Sequence, residues 1–425
     1  PAVLTKRIAL GPDGALVKSP AAQMSEGRAR LVEVPNLDGL SELIDGLTSA
    51  QATVYGIAPG HFATRIVTDD AVPTDGSAIS RSRRFFQFAP HPGVMMLDHD
   101  GHPDGPLDPD ALHAMLIQAV PELADAPMLW RASASSGIET SDGTVLSGVT
   151  GQRLYVAVAD ASRIPEAGRA LATRLWAAGI GWFNVSRAGA LLARTIVDTS
   201  VWQPERLDFA GPPVLGDGLR RALPPARVIG PPDAAPFDLR CIQADGEHKA
   251  AAAKHEARQR EAVAGAARTQ REAWVEAEAP KLAATRDIDI EQAREVLAQA
   301  AGRNILMGDF VLVAPDGTEV TVGEVLDNPA RWHGARFADP LEPDYANDRR
   351  IAWANLRGGG KPFIYSHAHG GQRYVLARPA RRVQLASGDR ARVVDQVLAA
   401  LRVDGEVFDF GEGAGGIARV TDETV

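Results

Sequence analysis

Short apolar runs alternate with polar stretches through the middle of the chain. Five of these runs are rich in residues that favour strands, and they cover residues 94–100, 127–133, 153–159, 181–186 and 190–198. Between the third and fourth runs, residues 164–178 place apolar side chains at helical spacing, and Pro165 is tolerated in the first turn of a helix. Strands interrupted by one helix predict an α+β domain over residues 61–236, with residues 1–60 as its N-terminal part.

The chain changes pattern toward the end of this domain. Residues 212–236 are rich in proline and glycine and predict an irregular linker. An alanine-rich segment with mixed charges, 247–279, predicts a long helix that ends at Pro280, and residues 291–303 predict a second helix. We expect these helices to form a spacer over residues 237–302.

A small α+β module is expected over residues 303–425. FVLVAPDGTEVTV (310–322) predicts a hairpin, because Pro-Asp-Gly favours a tight turn between two apolar strands. Residues 391–405 have apolar positions at helical spacing and predict a helix near the end of the sequence.

Composition narrows the class of protein. The chain has 425 residues, a formal net charge of −9 and a single cysteine, Cys241. One cysteine excludes a disulfide scaffold and any zinc site built from paired cysteines. Since no apolar run approaches the ~18 residues that a membrane span needs, we expect a cytoplasmic protein without a membrane partner. The net acidity argues only weakly against nucleic acid, because a total charge does not show where the charges lie.

The strand-like run VMMLDHD (94–100) ends in two carboxylates. Asp98 and Asp100 are two residues apart, and side chains at that spacing share one face of a strand. Asp198 ends a later run. Carboxylate oxygens suit Mg²⁺ or Mn²⁺, and two such ions can assist phosphoryl transfer. An Asp-x-Asp pair is also typical of a turn or a helix cap, so the residues alone leave both interpretations open.

A turn with two glycines precedes the run at 153–159. In SGVTGQR (147–153), the backbone around Gly148 and Gly151 can bring N–H groups close to a phosphate. Arg153, at the end of this turn, can bind phosphate oxygens in bidentate fashion. A hairpin loop with an exposed arginine explains the same pattern without a ligand.

These motifs together resemble the archaeo-eukaryotic primase superfamily, in particular the primase–polymerase domains of phages, plasmids and integrated elements. The resemblance depends on VMMLDHD, ASASSGI (132–138), SGVTGQRLYVAV and GWFNVSRAGALLARTIVDTSVWQPERLDFAG (181–211). It covers roughly residues 60–212. It implies a primase-type catalytic domain with an RRM-like antiparallel sheet, followed by the helical spacer and the small α+β module.

The resemblance also implies roles for single residues. Asp98, Asp100 and Asp198 match the family's catalytic acids, which bind the metal ions. Ser147 matches the serine of the second motif, whose partner histidine contacts the phosphates of the incoming nucleotide. This chain has Arg153 where that histidine is expected. An arginine can still bind triphosphate, but it cannot exchange a proton near neutral pH as histidine can.

Further residues are expected to contact nucleotide or template. Ser135 and Ser136 resemble a serine-rich stretch of these primases that can meet phosphate or template. Arginines near the motifs, together with Phe85 and Phe86, suit a single-stranded template through phosphate contacts and base stacking. These arginines are Arg83, Arg84, Arg187, Arg194 and Arg206. A solvated turn before a core strand explains the first two equally well.

We therefore predict a DNA primase/polymerase-type nucleotidyltransferase that makes or extends primers on single-stranded DNA from nucleoside triphosphates, using Mg²⁺ or Mn²⁺, in mobile-element replication. One alternative is a non-catalytic nucleic-acid-binding protein with a degenerate site, suggested by Arg153. A second is a metal-dependent nuclease that uses the same acids, with His99 and His102 beside them. DPLEPDY (339–345) and SHAHGGQRYVL (366–376) resemble the region that precedes the helicase in many phage and plasmid primase–helicase proteins, which implies a helicase partner. LRGGGKPF (356–363) lacks the spacing of a phosphate loop, so we expect that helicase on a separate or missing segment.

Overall fold

The strands of this mixed α+β protein form several small sheets. A computed structural model describes residues 3–20, 24–231, 234–357 and 360–378, and the backbone of two strands at 407–410 and 417–420. The helix predicted at 391–405 lies outside the described residues. The chain divides into two compact units, and the boundary falls within its longest helix. The first unit is Pro1–Glu278, Leu341–Asp348 and His367–Gln372, and the second is Ala279–Pro340, Arg349–Ser366 and Arg373–Val425.

Strands β1 to β17 and helices α1 to α3 belong to the first unit. The strands are β1 Lys6–Leu10, β2 Leu16–Pro20, β3 Gly27–Arg30, β4 Thr53–Val54, β5 Ala63–Val67, β6 Ala78–Ser80, β7 Gly93–His99, β8 Met128–Ala132, β9 Ile138–Thr140, β10 Val145–Ser147, β11 Gln152–Val158, β12 Gly181–Val185, β13 Leu191–Thr195, β14 Leu207–Asp208, β15 Val214–Leu215, β16 Leu219–Arg221 and β17 Arg227–Ile229. The helices are α1 Leu37–Asp45, α2 Pro109–Ala119 and α3 Ile164–Ala177.

The central sheet of the first unit has the strand order β17-β8-β11-β7, and every neighbouring pair is antiparallel. β11 pairs with β7 from Gln152↔His99 to Val158↔Gly93. Trp130, Tyr155 and Leu97 from these strands are among the largest fully buried side chains. The apolar runs that predicted β7, β8 and β11 and the helical spacing that predicted α3 are confirmed.

The prediction of an irregular linker at 212–236 is wrong for part of that segment. It contains β15, β16 and β17, and β17 pairs with β8 at the edge of the central sheet. Proline and glycine limit the length of a strand, and proline is tolerated beside short edge strands. A local pattern rich in proline and glycine therefore does not reveal these short strands, which are defined only by their pairing with distant strands.

The two strands after α3 form a sheet of their own. β12 and β13 pair with each other and do not join the central sheet. The run predicted at 190–198 forms a strand only to Thr195. Asp198 instead caps a short 3₁₀ turn, where its carboxylate accepts a hydrogen bond from the backbone N–H of Ser200 at 2.8 Å.

The long helix α4 (Gly246–Arg286) continues through Pro280, so the predicted end at that residue is wrong. An internal proline removes one backbone donor and costs about 3 kcal/mol. The flanking Ala279 and Leu282 are buried, and burial of apolar surface offsets that cost. Within the first unit, the helix is held by a hydrogen bond of 2.8 Å between the ring of His255 and the carbonyl of Gly181.

The second unit contains helices α5 to α7 and strands β18 to β26. The helices are α5 Ile290–Arg303, α6 Val322–Asp327 and α7 Pro329–Trp332. The strands are β18 Ile305–Leu306, β19 Val311–Val313, β20 Glu319–Thr321, β21 Arg336–Phe337, β22 Ala352–Asn355, β23 Phe363–Ser366, β24 Gln372–Leu376, β25 Val407–Phe410 and β26 Ile417–Val420. A sheet of order β18-β24-β23-β22-β21 follows α5.

The predicted hairpin at 310–322 is confirmed as the antiparallel pair β19–β20. Its Asp-Gly turn requires Gly317 at a φ of 88°, which a residue with a side chain rarely adopts. The predicted helix at 291–303 is confirmed as α5. Of the helices in the described ranges, none combines the length and apolar character that crossing a bilayer requires.

Candidate active site

One row of the central sheet brings an acid and two arginines together. Arg153 on β11 lies directly opposite Asp98 on β7 and opposite Arg131 on β8. Side chains of directly opposed residues share one face of a sheet. The antiparallel register therefore places these three side chains side by side.

Arg153 is held between two carboxylates. Its Nε lies 3.4 Å from Oδ1 of Asp98, and its Nη1 lies 2.6 Å from Oδ1 of Asp208. The Asp208 side chain is completely buried, whereas 13% of the Arg153 side chain and 16% of the Asp98 side chain are exposed. The two nearby carboxylates raise the pKa of the Arg153 guanidinium against the opposing effect of burial, so this residue carries a permanent charge.

Asp208 was not identified from the sequence, although it anchors this network. Strand β14 pairs with β4, which places Asp208 opposite Thr53. Its Oδ2 accepts hydrogen bonds from the hydroxyls of Tyr55 at 2.7 Å and Tyr155 at 2.9 Å. Burial and the Asp208 charge raise the pKa values of both tyrosines, so both remain donors. The signal that was available is an acid between Leu207 and Phe209, an apolar context in which a carboxylate needs partners.

The predicted catalytic acids lie near one another. The backbone N–H of Asp198 donates to the carbonyl of Asp98 at 2.7 Å, which joins the 3₁₀ turn to the end of β7. Burial raises the pKa of Asp98 to about 6, Arg153 opposes this shift, and the charges of Asp100, Asp208 and Asp198 add to it. Asp100 follows β7 and is exposed. The end of β7 therefore holds a largely buried carboxylate with acidic neighbours, and Arg153 only partly offsets their combined effect on its pKa.

These acids fit a divalent cation by their chemistry. Across the described ranges, no three His, Cys, Asp or Glu side chains already stand around a common metal position. Burial is the main cause of the raised pKa of Asp98, and the charges of Asp100, Asp208 and Asp198 add to it, so a bound cation would offset both effects through hard oxygen donors. A cation held by Asp98, Asp100 and Asp198 would have to share Asp98 with Arg153.

A pocket beside the acids is lined by three arginines. Arg131, Arg153 and Arg221 line it, together with Ile44, Asp45, Ala132, Ala134, Tyr155, Ala210 and Pro212. Arg131 is paired with Asp45 of α1, and its Nη1 donates to the Ser41 hydroxyl at 2.7 Å. Burial lowers the pKa of Arg221, and the charge of Arg131 lowers it further. The lining presents three guanidiniums and one carboxylate, Asp45, which suits an anion, and Arg153 is also paired with Asp98 and Asp208, which are not lining residues.

The turn before β11 is organised by its own hydrogen bonds. Ser136 is completely buried, and its hydroxyl accepts from the backbone N–H of Gly151 at 3.2 Å and donates to the Gly151 carbonyl at 3.1 Å. A Cβ at Gly151 would lie 2.6 Å from the Ser133 hydroxyl oxygen. Ser147 ends β10, and the carbonyl of Gly148 accepts from Gly137 at 3.1 Å. These residues hold the loop, and Arg153 is the member of the predicted nucleotide-binding set that lines the pocket.

Ser135 lies next to two lysines that sequence reasoning did not single out. The ammonium groups of Lys6 and Lys18 lie 3.5 Å from its hydroxyl oxygen and its carbonyl oxygen, respectively. Burial and the charge of Lys6 lower the pKa of Lys18. Their positions follow from the β1–β2 hairpin, whose Lys6 and Lys18 are too far apart in sequence to form a visible motif.

Two of the arginines predicted to contact the template, Arg83 and Arg206, lie near Glu205, together with Arg81. Nη1 of Arg81 donates to the Glu205 carbonyl at 2.8 Å, and Nε of Arg83 lies 3.2 Å from its carboxylate. Burial lowers the pKa of Arg81 and the nearby charge of Arg206 lowers it further, so Arg206 is a third arginine close to this group. Arg84 lies over the ring of Phe85, with 4.9 Å between its guanidinium carbon and the ring centroid.

Other residues predicted to contact the template have different surroundings. Phe86 is buried in a small core with Ile66 and Ile79, so it is not a stacking platform. Arg187 pairs with Asp344 at 2.7 Å, which offsets its charge. Arg194 is half-buried on β13.

Comparison with known proteins adds no information about this site. No protein-family model, no curated protein and no solved structure matches the chain significantly.

Proposed function

We propose that the protein is a primase–polymerase-type nucleotidyltransferase that acts on single-stranded DNA. The observation that carries the proposal is the row formed by Asp98, Arg153 and Arg131, which joins a cluster of acids to a pocket lined by arginines. Transfer of a nucleotide from a triphosphate needs both parts, because cations must be held at the reacting phosphate and the polyphosphate chain must be oriented. The four antiparallel strands of the central sheet are consistent with an RRM-like catalytic domain.

The residues of this site would divide the chemistry between them. Asp98, Asp100 and Asp198 would hold Mg²⁺ or Mn²⁺, which supplies positive charge at the reacting phosphate and favours ionisation of the attacking hydroxyl. Arg131, Arg153 and Arg221 would bind the oxygens of the triphosphate. Their fixed guanidiniums orient the α-phosphate for attack by a 3′-hydroxyl and stabilise the charge of the departing pyrophosphate.

Asp208 positions Arg153 in this scheme. It is buried and receives hydrogen bonds from two tyrosines, so its carboxylate cannot move toward a substrate without losing them. Arg153 takes the place of the family's histidine and cannot act as a proton donor or acceptor near neutral pH. Any proton from the attacking hydroxyl must therefore leave by another group or by water.

The second candidate is a non-catalytic nucleotide- and DNA-binding protein. The contact of 3.4 Å between Arg153 and Asp98 favours it, because a guanidinium beside that carboxylate competes with a metal ion. The nuclease alternative has less support than the non-catalytic one, because His99, a histidine beside the acids, is not available as a general base. His99 is buried with Nδ1 bonded to the Ile196 carbonyl at 2.7 Å, and burial lowers its pKa.

Primer synthesis and primer extension on single-stranded DNA test the proposal. The chain is incubated with labelled template, ribo- or deoxyribonucleoside triphosphates and Mg²⁺ or Mn²⁺, with and without a primer. We expect template-dependent products that Asp100→Asn abolishes. Asp104→Asn is the matched control, because this acid lies on the same loop with 90% of its side chain exposed.

The outcomes separate the candidates. Products that require Asp100 support the proposed function. Tight DNA and nucleotide binding without synthesis would favour the non-catalytic candidate, and shortening of the DNA would favour a nuclease. Arg153→His tests the unusual position directly, and increased synthesis by that variant would show that the arginine limits the chemistry.

A further inference from the structure

A second basic surface lies on the sheet formed by β3, β5 and β6. One face of this sheet packs against the small core of Ile66, Ile79 and Phe86. The opposite face carries three exposed arginines, Arg28 and Arg30 on β3 and Arg65 on β5. The alternation of buried and exposed residues along β3 presents both of its arginines to solvent.

The charges on this face are poorly balanced. Arg28 and Arg65 are direct partners across the antiparallel pair, and like charges in that position destabilise a sheet. Glu26 pairs with Arg65 at 2.8 Å, but 64% of its side chain is exposed, and exposed ion pairs contribute little. Arg28 and Arg30 form no ion pair with a residue in the described part of the chain. The arrangement is explained if a polyanion supplies the missing charge.

Exposed apolar residues flank these arginines in the chain. Leu31 and Val32 directly follow β3, and the N–H of Leu31 donates to the carbonyl of Phe62 at 2.8 Å. Leu31, Val32 and Phe62 are exposed by 43%, 41% and 71%. Single exposed apolar residues are ordinary, but a group of three is typical of an interaction site for a ligand or a macromolecule. A basic surface with an exposed aromatic ring suits single-stranded nucleic acid, because phosphates meet arginine and bases stack on the ring.

Ring contacts connect this surface with the arginines near Glu205. His61 precedes Phe62 and packs edge-on against Phe85, with 6.3 Å between ring centroids. Arg84 lies over the same Phe85 ring, and Arg83 pairs with Glu205. The chain neighbour of Phe62 and one arginine of the Glu205 group therefore contact the same Phe85 ring, and Glu205 lies three residues before Asp208.

We infer that Arg28, Arg30, Arg65 and Phe62 form a distal binding surface for single-stranded nucleic acid, which holds the strand outside the candidate active site. This inference rests on the proposed function for the nature of the partner. The phosphates contact the arginines, and one base stacks on Phe62. An extended acidic peptide added to the edge strand β3 is the other occupant that the test distinguishes.

Binding of a labelled single-stranded oligonucleotide is measured by fluorescence anisotropy over a range of salt concentrations, with EDTA present and without nucleoside triphosphate. Arg28→Gln/Arg30→Gln removes two charges from exposed positions. Each lost phosphate contact lowers the slope of log K against log salt by about 0.7, which amounts to about fivefold in affinity at 0.1 M salt. We expect the double variant to bind about 25-fold more weakly, with a slope smaller by about 1.4.

Two further variants make the test specific. Phe62→Ser should weaken binding at least about fivefold without changing the salt slope, because stacking involves no counterion release. Arg169→Gln, an exposed arginine on α3, should bind as the unaltered chain does. Circular dichroism checks that each variant is folded.

The inference is overturned if Arg28→Gln/Arg30→Gln keeps the affinity and the salt slope of the unaltered chain. It is also overturned if an acidic peptide binds this face and the oligonucleotide does not. The proposed function is tested separately by nucleotide addition. If binding depends on Arg28 and Arg30 but no synthesis occurs, the binding surface is supported and the proposed activity is refuted. If synthesis occurs but the variants bind as the unaltered chain does, only the binding surface is refuted.

Discussion

Replacing Asp208 with asparagine should destabilise the first unit strongly. The buried carboxylate of Asp208 lies 2.6 Å from Nη1 of Arg153 and accepts hydrogen bonds from Tyr55 and Tyr155. Asparagine has nearly the same shape, but it carries no charge and has a single acceptor oxygen. The guanidinium of Arg153 then loses its nearest counter-charge while it remains buried.

The expected magnitude follows from the burial of both partners. Removing one partner of a buried ion pair costs about 3–5 kcal/mol, because the other charge is left without compensation. Arg153 keeps Asp98 at 3.4 Å, so the lower end, about 3 kcal/mol, applies here. For a unit of this size, 1 kcal/mol lowers Tm by about 2–4 °C, which gives a decrease of about 6–12 °C.

The assay must report on the first unit, because a chain with two compact units need not unfold in one transition. Differential scanning calorimetry gives the shift in Tm, and hydrogen–deuterium exchange of the β11 peptide (152–158) shows where the loss of stability lies. Asp104→Asn is the matched control. Its side chain is 90% exposed, and we expect less than about 0.5 kcal/mol from its replacement.

A double-mutant cycle separates the ion pair from the hydrogen bonds. Arg153→Met alone leaves the Asp208 charge buried and should cost about as much as Asp208→Asn. The double variant removes both charges, so its cost should be clearly less than the sum of the single costs. A Tm within about 2 °C of the unaltered chain for Asp208→Asn, or additive costs in the cycle, would refute the reasoning.

Three other measurements address the same site. Since the folded pKa of Asp98 is about 6 and its unfolded value is 3.8, the folded state binds more protons between these values, and its stability falls as the pH rises through that window. Asp98→Asn should therefore increase the free energy of unfolding at pH 8 by about 3 kcal/mol, seen as a higher Tm, and should leave Tm unchanged near pH 3. A lower Tm at pH 8 would contradict this expectation. Ser136→Ala should cost about 2 kcal/mol in thermal unfolding, because a buried backbone N–H of Gly151 loses its acceptor, while nucleotide affinity stays the same. Arg221→Gln should raise KM for the nucleoside triphosphate about tenfold in steady-state extension, and an unchanged KM excludes a phosphate contact at this pocket.

Local patterns predicted much of the secondary structure. The apolar run before Asp98 predicted β7, and the helical spacing after Ile164 predicted α3. The hairpin with Gly317 followed from its turn residues. These features depend on neighbours within a few positions, which is why alternation and turn chemistry suffice to identify them.

The predictions failed where a strand or a helix depends on distant partners. β17 is a strand because Met128, Leu129 and Trp130 of β8 offer a free edge, and no local pattern shows this. Pro280 would end an isolated helix, yet burial of the neighbouring Ala279 keeps α4 continuous. Tertiary packing overrides local propensity at such positions.

The sequence by itself determined the identity of the acids at the end of β7 and the presence of Arg153 after a glycine-bearing turn. Only the tertiary structure decided what surrounds them. The register of β7, β8 and β11 brings Arg131 beside Arg153, and the pairing of β14 with β4 buries Asp208 against two tyrosines. Residues that are neighbours in such a site are tens of positions apart in the chain, so their meeting depends on the pairing of whole strands, which local sequence does not encode.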